Sequence, residues 1–305
     1  MNPFRIHVPA TSANLGPGFD SIGIALSKYV TLDCQQAEDW QFIVPEQDQA
    51  YIPSGKDNLI YKSAIYTAQS QGHESLPACE VHLTSDVPIA RGLGSSSTAV
   101  VGGIELADHL LGLGLSSFEK LKVACDIEGH PDNVAPAIFG GIMISTFDGE
   151  NLDYVPFTEG LEKLTWLAIV PDYHVETEKA RQLLPRDLSY KDAVHASGTA
   201  NVLVAALAQQ NWPLAGKMMT RDQWHQPYRK QLIPGFENVQ RIVEEAGSLG
   251  MYLSGAGPTM VALFETFHQE TFDFLFDKLS DYAIFPLQAD LKGVYTESVM
   301  INNES

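Results

Sequence analysis

The first eighty residues of the chain alternate apolar and polar positions, a pattern typical of half-buried strands. The alternation covers residues 5–10, 29–35, 40–44 and 80–84 and predicts a strand at each. Between the last two, apolar residues recur at helical spacing as far as Ala68. We therefore expect a helix there that begins at Asp57 or Asn58.

Two helices and a strand are expected in the next part of the chain. An apolar stretch predicts a helix over 100–111, and Ser116 with Glu119 matches a capping box for a shorter helix that runs towards Glu128. A double glycine then leads into a strand expected at 142–147.

The acidic stretch 148–162 separates two halves that alternate strands and helices differently. Because 305 residues exceed one typical domain, we predict an N-terminal domain at 1–155 and a C-terminal domain at 156–305. The second half predicts strands at 164–170, 251–254, 259–264 and 294–298 and helices at 176–184, 190–210, 235–249 and 269–279. This mixture favours an α+β fold with helices on one face of a mainly antiparallel sheet.

The segment 88–99 (PIARGLGSSSTA), called the glycine–serine loop below, has the composition of a phosphate-binding loop. Gly92 and Gly94 allow consecutive N–H groups to converge on one anion, and the following helix presents free amides to the same place. The Walker A lysine is missing, and Ser97 stands where GxGxxG needs a glycine. A capped turn without a ligand is the alternative. The candidate residues are Pro88, Ile89, Ala90, Arg91, Gly92, Leu93, Gly94, Ser95, Ser96, Ser97, Thr98 and Ala99.

Charge and cysteine content narrow the expected partners. The chain has 38 acidic and 19 basic residues, a net charge of −19, which argues against nucleic acid and anionic membranes. Cys34, Cys79 and Cys125 show no metal-binding spacing, as is typical of a reduced, cytoplasmic protein. No apolar run approaches the roughly 18 residues of a membrane span, and the N-terminus does not resemble a targeting signal. We therefore expect a soluble cytoplasmic protein.

The segment 9–20 (PATSANLGPGFD) offers groups for a small ligand. Asp20 can bind an ammonium group, and the Asn14 side chain can donate and accept hydrogen bonds. A tight turn closed by an aspartate would explain the same residues.

The segment 128–136 (EGHPDNVAP) follows a helix and is rich in ligand groups. A bound polyphosphate needs a divalent cation, and Glu128 with the Ser97 hydroxyl can hold magnesium; Asp126 is an alternative to Glu128. His130 lacks a second histidine or cysteine at ligand spacing, which favours a structural role.

Two arginines in the second half precede prolines that stop local structure. Arg181 lies in TEKARQLLP and Arg229 in PYRKQLIPGF. A pair of guanidinium groups is a natural receptor for a carboxylate, and solvated surface charge is the alternative. The turn SGAGPT at 254–259 joins two expected strands and need do nothing more.

Three motifs, in order, resemble those of the GHMP small-molecule kinases. They are PATSANLGPGFDSIG, PIARGLGSSSTA and GMYLSGAGPTMVAL. The segments SANLGPGFD, HPDNVAP, TEKARQLLP and YRKQLIPGF are similar to the branch of this family that phosphorylates homoserine. The resemblance implies a ribosomal-protein-like N-terminal domain and a ferredoxin-like C-terminal domain, with the site between them.

The resemblance also implies residue roles. The glycine–serine loop would wrap the ATP phosphates, Ser97 and Glu128 would hold Mg²⁺, and Asn58 would lie near the nucleoside. Thr177 would border the reacting hydroxyl, and a homodimer is suggested by analogy. L-Homoserine would be held with its carboxylate on the arginines and its ammonium on Asp20, and the residues implied for this binding are Asn14, Asp20, His130, Arg181 and Arg229.

The proton acceptor is where this sequence departs from several relatives. Those relatives pair an aspartate with a lysine, whereas here Asp132 is followed by Asn133 with no evident lysine. We hypothesise that Asn133 orients the hydroxyl while a phosphate oxygen accepts its proton, with Asp132 as the alternative base. Two other interpretations stay open: a sister kinase acting on mevalonate or shikimate, and a nucleotide-binding sensor without activity.

Overall fold

Two sheets organise the parts of the chain that the computed structural model describes, residues 2–49, 52–86 and 91–299. Within them the first sheet is ordered β11-β1-β2-β4-β3, and β5 joins it by pairing with β2 and with β6. Only β3 and β4 pair in parallel there. The strands are β1 (Phe4–Ala13), β2 (Ile22–Gln36), β3 (Gln41–Ile43), β4 (Cys79–Ser85), β5 (Ile142–Phe147), β6 (Leu152–Phe157) and β11 (Tyr295–Ser298).

Helices α1 (Leu59–Ser70), α2 (Ser95–Leu111), α3 (Ser117–Glu128) and α4 (Val134–Phe139) belong to the first half. The side chain of Asn58 caps α1, and the expected capping box of Ser116 and Glu119 opens α3. Helix α2 begins at Ser95, so the serines of the glycine–serine loop form its first turn. The amide end of α2 therefore lies inside the loop.

The second sheet is antiparallel, with β7 (Thr165–Pro171), β8 (Gly250–Leu253), β9 (Met260–Phe264) and β10 (Tyr282–Leu287) in the order β10-β7-β9-β8. Its connections contain α5 (Thr177–Gln182), α6 (Tyr190–Ala208), α7 (Trp212–Met219), α8 (Gln226–Arg229), α9 (Phe236–Glu245) and α10 (Gln269–Lys278). The α+β class expected from the sequence is confirmed.

Alternate residues of β7 enter different cores. Leu167 and Ile169 pack with α9 and α10, whereas Trp166 and Ala168 pack in a core that also contains Ala10 from the first sheet. A further core lies between the first sheet and helices α1 to α4. The core that contains Trp166, Ala168 and Ala10, called the middle core below, has members from both sheets and joins them into one body.

Several elements differ from the sequence expectations. Strand β6 lies within the acidic stretch 148–162, where Asp153 and Pro156 obscure the alternation of its half-buried positions. Strand β10 contains Pro286, which is tolerated because this strand lies at the sheet edge. Helices α4, α7 and α8 are short, and short helices lack a readable period.

The division into domains at 1–155 and 156–305 stays a prediction. Its boundary lies within β6, and the final strand β11 returns to pair with β1. None of the helices in the described part of the chain has both the length and the apolar character that crossing a bilayer requires.

Candidate active site

A cavity of about 620 Å³ lies between the two halves of the chain. From the first half it is lined by the glycine–serine loop, by the turn after β1 and by the segment between α3 and α4. From the second half it is lined by the start of α5, by α8 and by the turn between β8 and β9. The predicted site residues that meet here are Asn14, Asp20, Gly92, Gly94, Ser95, Ser96, Ser97, Glu128, His130, Asp132, Asn133, Thr177, Arg181 and Arg229.

The glycine–serine loop contains two glycines at positions where a side chain would be strained. Gly92 and Gly94 have φ angles of 92° and 73°, in the left-handed region. A Cβ on Gly94 would lie 2.0 Å from Thr11 Oγ1, and one on Gly92 would lie 2.8 Å from the Gly257 carbonyl oxygen. The predicted residues Pro88, Ile89 and Ala90 lie outside the described residues.

The hydroxyls of the loop have different partners. Ser96 donates to Glu128 Oε1 at 2.7 Å, whereas the side chain of Ser97 is buried at the cavity wall. Thr98 donates to the Ser95 carbonyl within the first turn of α2. Glu128 is thus hydrogen-bonded to Ser96, and the expectation that Glu128 and Ser97 hold Mg²⁺ together stays a prediction. Both hydroxyls and the carboxylate are oxygen donors of the kind that Mg²⁺ prefers.

His130, Asp132 and Asn133 form a connected group between α3 and α4. His130 Nδ1 donates to the buried Asp132 carboxylate at 2.6 Å, and Asn133 Oδ1 accepts from Thr11 Oγ1 at 2.8 Å. Burial alone would lower the pKa of His130, but the hydrogen bond and charge of Asp132 outweigh it and raise that pKa. Asp132 therefore orients His130, an arrangement compatible with the structural role expected for this histidine.

Opposite charges face each other at the end of the cavity lined by Asp20, Arg181 and Arg229, called the acceptor end below. Arg181 donates two hydrogen bonds, each 3.0 Å long, to the two carboxylate oxygens of Asp20. Arg229 is buried and donates to the Gly255 carbonyl at 2.9 Å. Burial, and then the charge of Arg181, lower the pKa of Arg229 to about 10, so it is still charged near neutral pH. Neither arginine is solvated surface charge alone.

Asn14 builds the turn that presents Asp20. Its Oδ1 accepts from the Asp20 backbone N–H at 3.1 Å, and its Nδ2 donates to the Gly255 carbonyl at 3.4 Å. Asn14 and Asp20 both adopt positive φ angles, 74° and 54°, which non-glycine residues rarely do and which cluster at functional sites.

Asn58 and the loop border a second, smaller cavity of about 190 Å³. The Asn58 side chain accepts from the Ile60 N–H at 2.9 Å and donates to the Pro53 carbonyl at 2.8 Å. The oxygen and the NH₂ group of this side chain are thus both hydrogen-bonded to the backbone of the protein. The walls are otherwise largely apolar and include Val30 and Leu83.

Sequence reasoning missed the support beneath the glycine–serine loop. Ser254 donates to the Gly92 carbonyl at 2.6 Å and accepts from Ser12, and Thr259 donates to the Arg91 carbonyl at 2.5 Å. The turn at 254–259 therefore supports the glycine–serine loop through hydrogen bonds to its backbone, although the sequence predicted no role for this turn beyond joining two strands. The available signal was the serine and threonine that flank its Gly-Ala-Gly centre.

Two family models match the chain. The GHMP kinases N terminal domain matches residues 58–141, and the GHMP kinases C terminal model matches residues 203–281. Together they cover the glycine–serine loop, the segment between α3 and α4, α8 and the turn at 254–259.

Relatives that match most of the chain carry one activity in their names. The homoserine kinase of Halalkalibacterium halodurans is 43% identical over 304 residues, 99% of this chain and 97% of that protein. The homoserine kinase of Streptococcus equi subsp. equi is 46% identical over 261 residues, 85% of this chain and 87% of that protein.

Solved structures agree in fold. The homoserine kinase of Cytophaga hutchinsonii superimposes with a TM-score of 0.84 at 27% identity, covering 97% of this chain and 98% of that one. The mevalonate kinase of Methanococcus jannaschii has a TM-score of 0.72 at 18% identity, covering 93% and 98%, and shares the fold alone. The chain therefore belongs to the GHMP kinase family and, within it, to the homoserine kinases.

Proposed function

We propose that this chain transfers the γ-phosphoryl group of ATP to the side-chain hydroxyl of L-homoserine, giving ADP and O-phospho-L-homoserine for threonine biosynthesis. The observation that carries the proposal is that the larger cavity has two chemically different ends. A helix amide end and glycine turns suited to phosphate lie at one end, and a paired acid and arginine suited to a zwitterion lie at the other.

The acceptor end supports an amino acid. Asp20 would bind the ammonium group, and Arg181 with Arg229 would bind the carboxylate, because opposite charges with good hydrogen-bond geometry give the strongest contacts. Thr177, at the start of α5, and Asn133 border the space left for the hydroxyl. His130 would also help to hold L-homoserine, with its ring oriented by the pair with Asp132.

The nucleotide end supports ATP. The glycine–serine loop would hold the phosphates, and the small cavity beside Asn58 would hold the base against its largely apolar wall. Glu128, with the hydroxyl of Ser96 or Ser97, supplies oxygen ligands that fit Mg²⁺. The ion, when bound, neutralises phosphate charge as phosphoryl transfer develops.

We propose that no side chain acts as a strong base. Asp132 is buried and accepts a hydrogen bond from His130, so its carboxylate is occupied in orienting that ring. The side-chain oxygen of Asn133 accepts a hydrogen bond from Thr11, and this contact fixes the direction of the Asn133 NH₂ group. Positioning by Asn133, with proton transfer to phosphate, is consistent with a loose phosphoryl-transfer transition state.

A cytoplasmic homodimer is part of the same proposal. The three cysteines are free and buried, in keeping with a reducing compartment that supplies ATP. Light scattering on the purified protein tests the assembly, since a dimer has twice the chain mass of 33.4 kDa.

ADP release by the purified chain with Mg-ATP is the decisive experiment. L-Homoserine is compared with mevalonate, shikimate, galactose and L-serine, and a chelator removes the metal in a parallel set. We expect selective turnover of L-homoserine that stops with the chelator. Turnover of mevalonate would contradict the assignment of Asp20, because mevalonate has no ammonium group. ATP binding without turnover would favour a nucleotide sensor.

A further inference from the structure

Phe19 lies beneath both arginines of the acceptor end. Its ring is half-buried in the turn between β1 and β2, directly before Asp20. The Cζ atom of Arg229 is 5.1 Å from the ring centroid and that of Arg181 is 5.7 Å away. Both distances are within the roughly 6 Å range at which a guanidinium is attracted by an aromatic ring.

The ring is itself held in place by a buried neighbour. Phe19 stacks on His225 with ring centroids 5.3 Å apart and an interplanar angle of 23°. His225 is fully buried, and its Nε2 lies 3.1 Å from the Gly16 carbonyl oxygen in the same turn as Phe19. Burial lowers the pKa of His225, so the ring beside Phe19 is neutral near pH 7 and adds no third positive charge.

This arrangement addresses a specific electrostatic difficulty. Two guanidinium groups that converge on one carboxylate repel each other while the carboxylate is absent, and Arg229 is only 2% exposed, so water screens it poorly. The π-electrons of one ring attract both cations. An ammonium group bound by Asp20 would take away the ion-pair partner of Arg181, whereas the contact of Arg181 with Phe19 does not depend on Asp20.

We propose that Phe19 is a positioning residue for recognition of the acceptor's carboxylate: its ring keeps the guanidinium groups of Arg181 and Arg229 side by side, ready to bind one carboxylate together. The proposal rests on the proposed function. It assigns Phe19 no contact with the reacting hydroxyl and none with ATP.

The test compares Phe19→Leu, which removes the ring, with Phe19→Trp, which keeps an aromatic face. Phe118→Leu is the matched control, because Phe118 is an exposed ring that stacks on Tyr154 outside the cavity. We expect Phe19→Leu to raise the KM for L-homoserine about 10-fold or more, since two cation–π contacts weaken together. The KM for ATP and kcat should stay within about 3-fold, as expected when only ground-state acceptor binding is affected.

A second acceptor separates positioning from general damage to the site. 3-Aminopropan-1-ol has the hydroxyl and ammonium of homoserine without its carboxylate. We expect kcat/KM for this amine to be the same in the wild type and in Phe19→Leu, and Phe19→Trp to recover most of the affinity for L-homoserine.

Three outcomes would overturn the proposal. They are an unchanged KM for L-homoserine in Phe19→Leu, an equal loss with both acceptors, and a loss in Phe19→Trp as large as in Phe19→Leu. Each leaves the proposed function intact as long as the wild type uses L-homoserine. A wild-type chain that phosphorylates no amino acid would overturn both proposals.

Discussion

Asp20 and Arg181 neutralise each other across the acceptor end, and we assign each of them to a different end of the same zwitterion. Binding of an amino acid would replace one ion pair by two, so the cavity's charge stays balanced before and after binding. Side chains of this pair are 31% and 42% exposed, so water can enter and help the exchange.

Asp20→Asn tests the ammonium assignment. The amide keeps the size of the side chain but loses its charge, so we expect the KM for L-homoserine to rise about 10- to 100-fold, the range for a charged hydrogen bond. The KM for ATP should change little. Asp57→Asn is the control, because Asp57 pairs with Lys62 at the start of α1 and is 89% exposed. A wild-type KM for L-homoserine in Asp20→Asn would contradict the assignment.

Asp132→Asn decides between positioning and base catalysis. Loss of a general base removes about 100- to 10,000-fold in rate, whereas Asn can still accept the hydrogen bond from His130. We expect kcat to fall no more than about 10-fold, with a thermal midpoint that shows the protein folded. A loss of several orders of magnitude in the folded variant would identify Asp132 as the base.

The pair of His130 and Asp132 also predicts a pH dependence of stability. Since the pKa of His130 is raised above its usual 6.5, charged His130 stabilises the fold fully below pH 6.5, and this contribution is lost as pH rises through the folded-state pKa. The difference in thermal midpoint between wild type and Asp132→Asn should therefore be largest below pH 6.5 and smaller at higher pH. NMR titration of His130 should show a lower pKa in the variant, and equal values would refute the coupling.

At the scale of elements, sequence patterns predicted the helices and strands that have a clear period and the loop that has a clear composition. They could not predict that the turn at 254–259 supports the loop, because Ser254 and Gly92 are 162 residues apart in sequence. The hydrogen bond between Ser96 and Glu128 likewise depends on how the first turn of α2 faces α3. Both features follow from three-dimensional packing, which local periodicity does not record.

Gly94→Ala tests how tightly the start of α2 is built. The methyl group would meet Thr11 Oγ1, the same hydroxyl that holds Asn133, and the residue would keep a strained positive φ. We expect a loss of about 1–3 kcal/mol in unfolding free energy and a rise in the KM for ATP. Gly198→Ala lies within α6, where the added carbon would meet no atom within 4 Å beyond its chain neighbours and the backbone of its own helix, and should instead stabilise by about 0.5–1 kcal/mol. An unchanged KM for ATP in Gly94→Ala would show that the contact is not needed.

At the scale of the whole molecule, the acceptor end takes Asp20 from the first half and Arg181 and Arg229 from the second. The middle core likewise contains Ile24 of β2 together with Trp166 of β7 and Tyr252 of β8. The sequence indicated two halves, but neither the shared core nor the return of β11 to β1 has a local signal. A site and a core shared in this way favour one cooperative unfolding transition.

Removal of β11 tests this cooperativity. Chains ending at residue 293 and at residue 299 both lack the last six residues. The difference in their unfolding free energies therefore reports the contribution of β11, which includes its ladder with β1 and the stacking of Tyr295 on His7, with ring centroids 4.6 Å apart. We expect the shorter chain to lose about 2–3 kcal/mol, equivalent to roughly 3–5 °C in thermal midpoint for a chain of this length. Calorimetry should show one transition in both chains, because the middle core transmits loss of β11 to the second sheet. A separate early transition confined to the shorter chain would instead show that the first half unfolds alone, as the predicted domain boundary at 155/156 would allow.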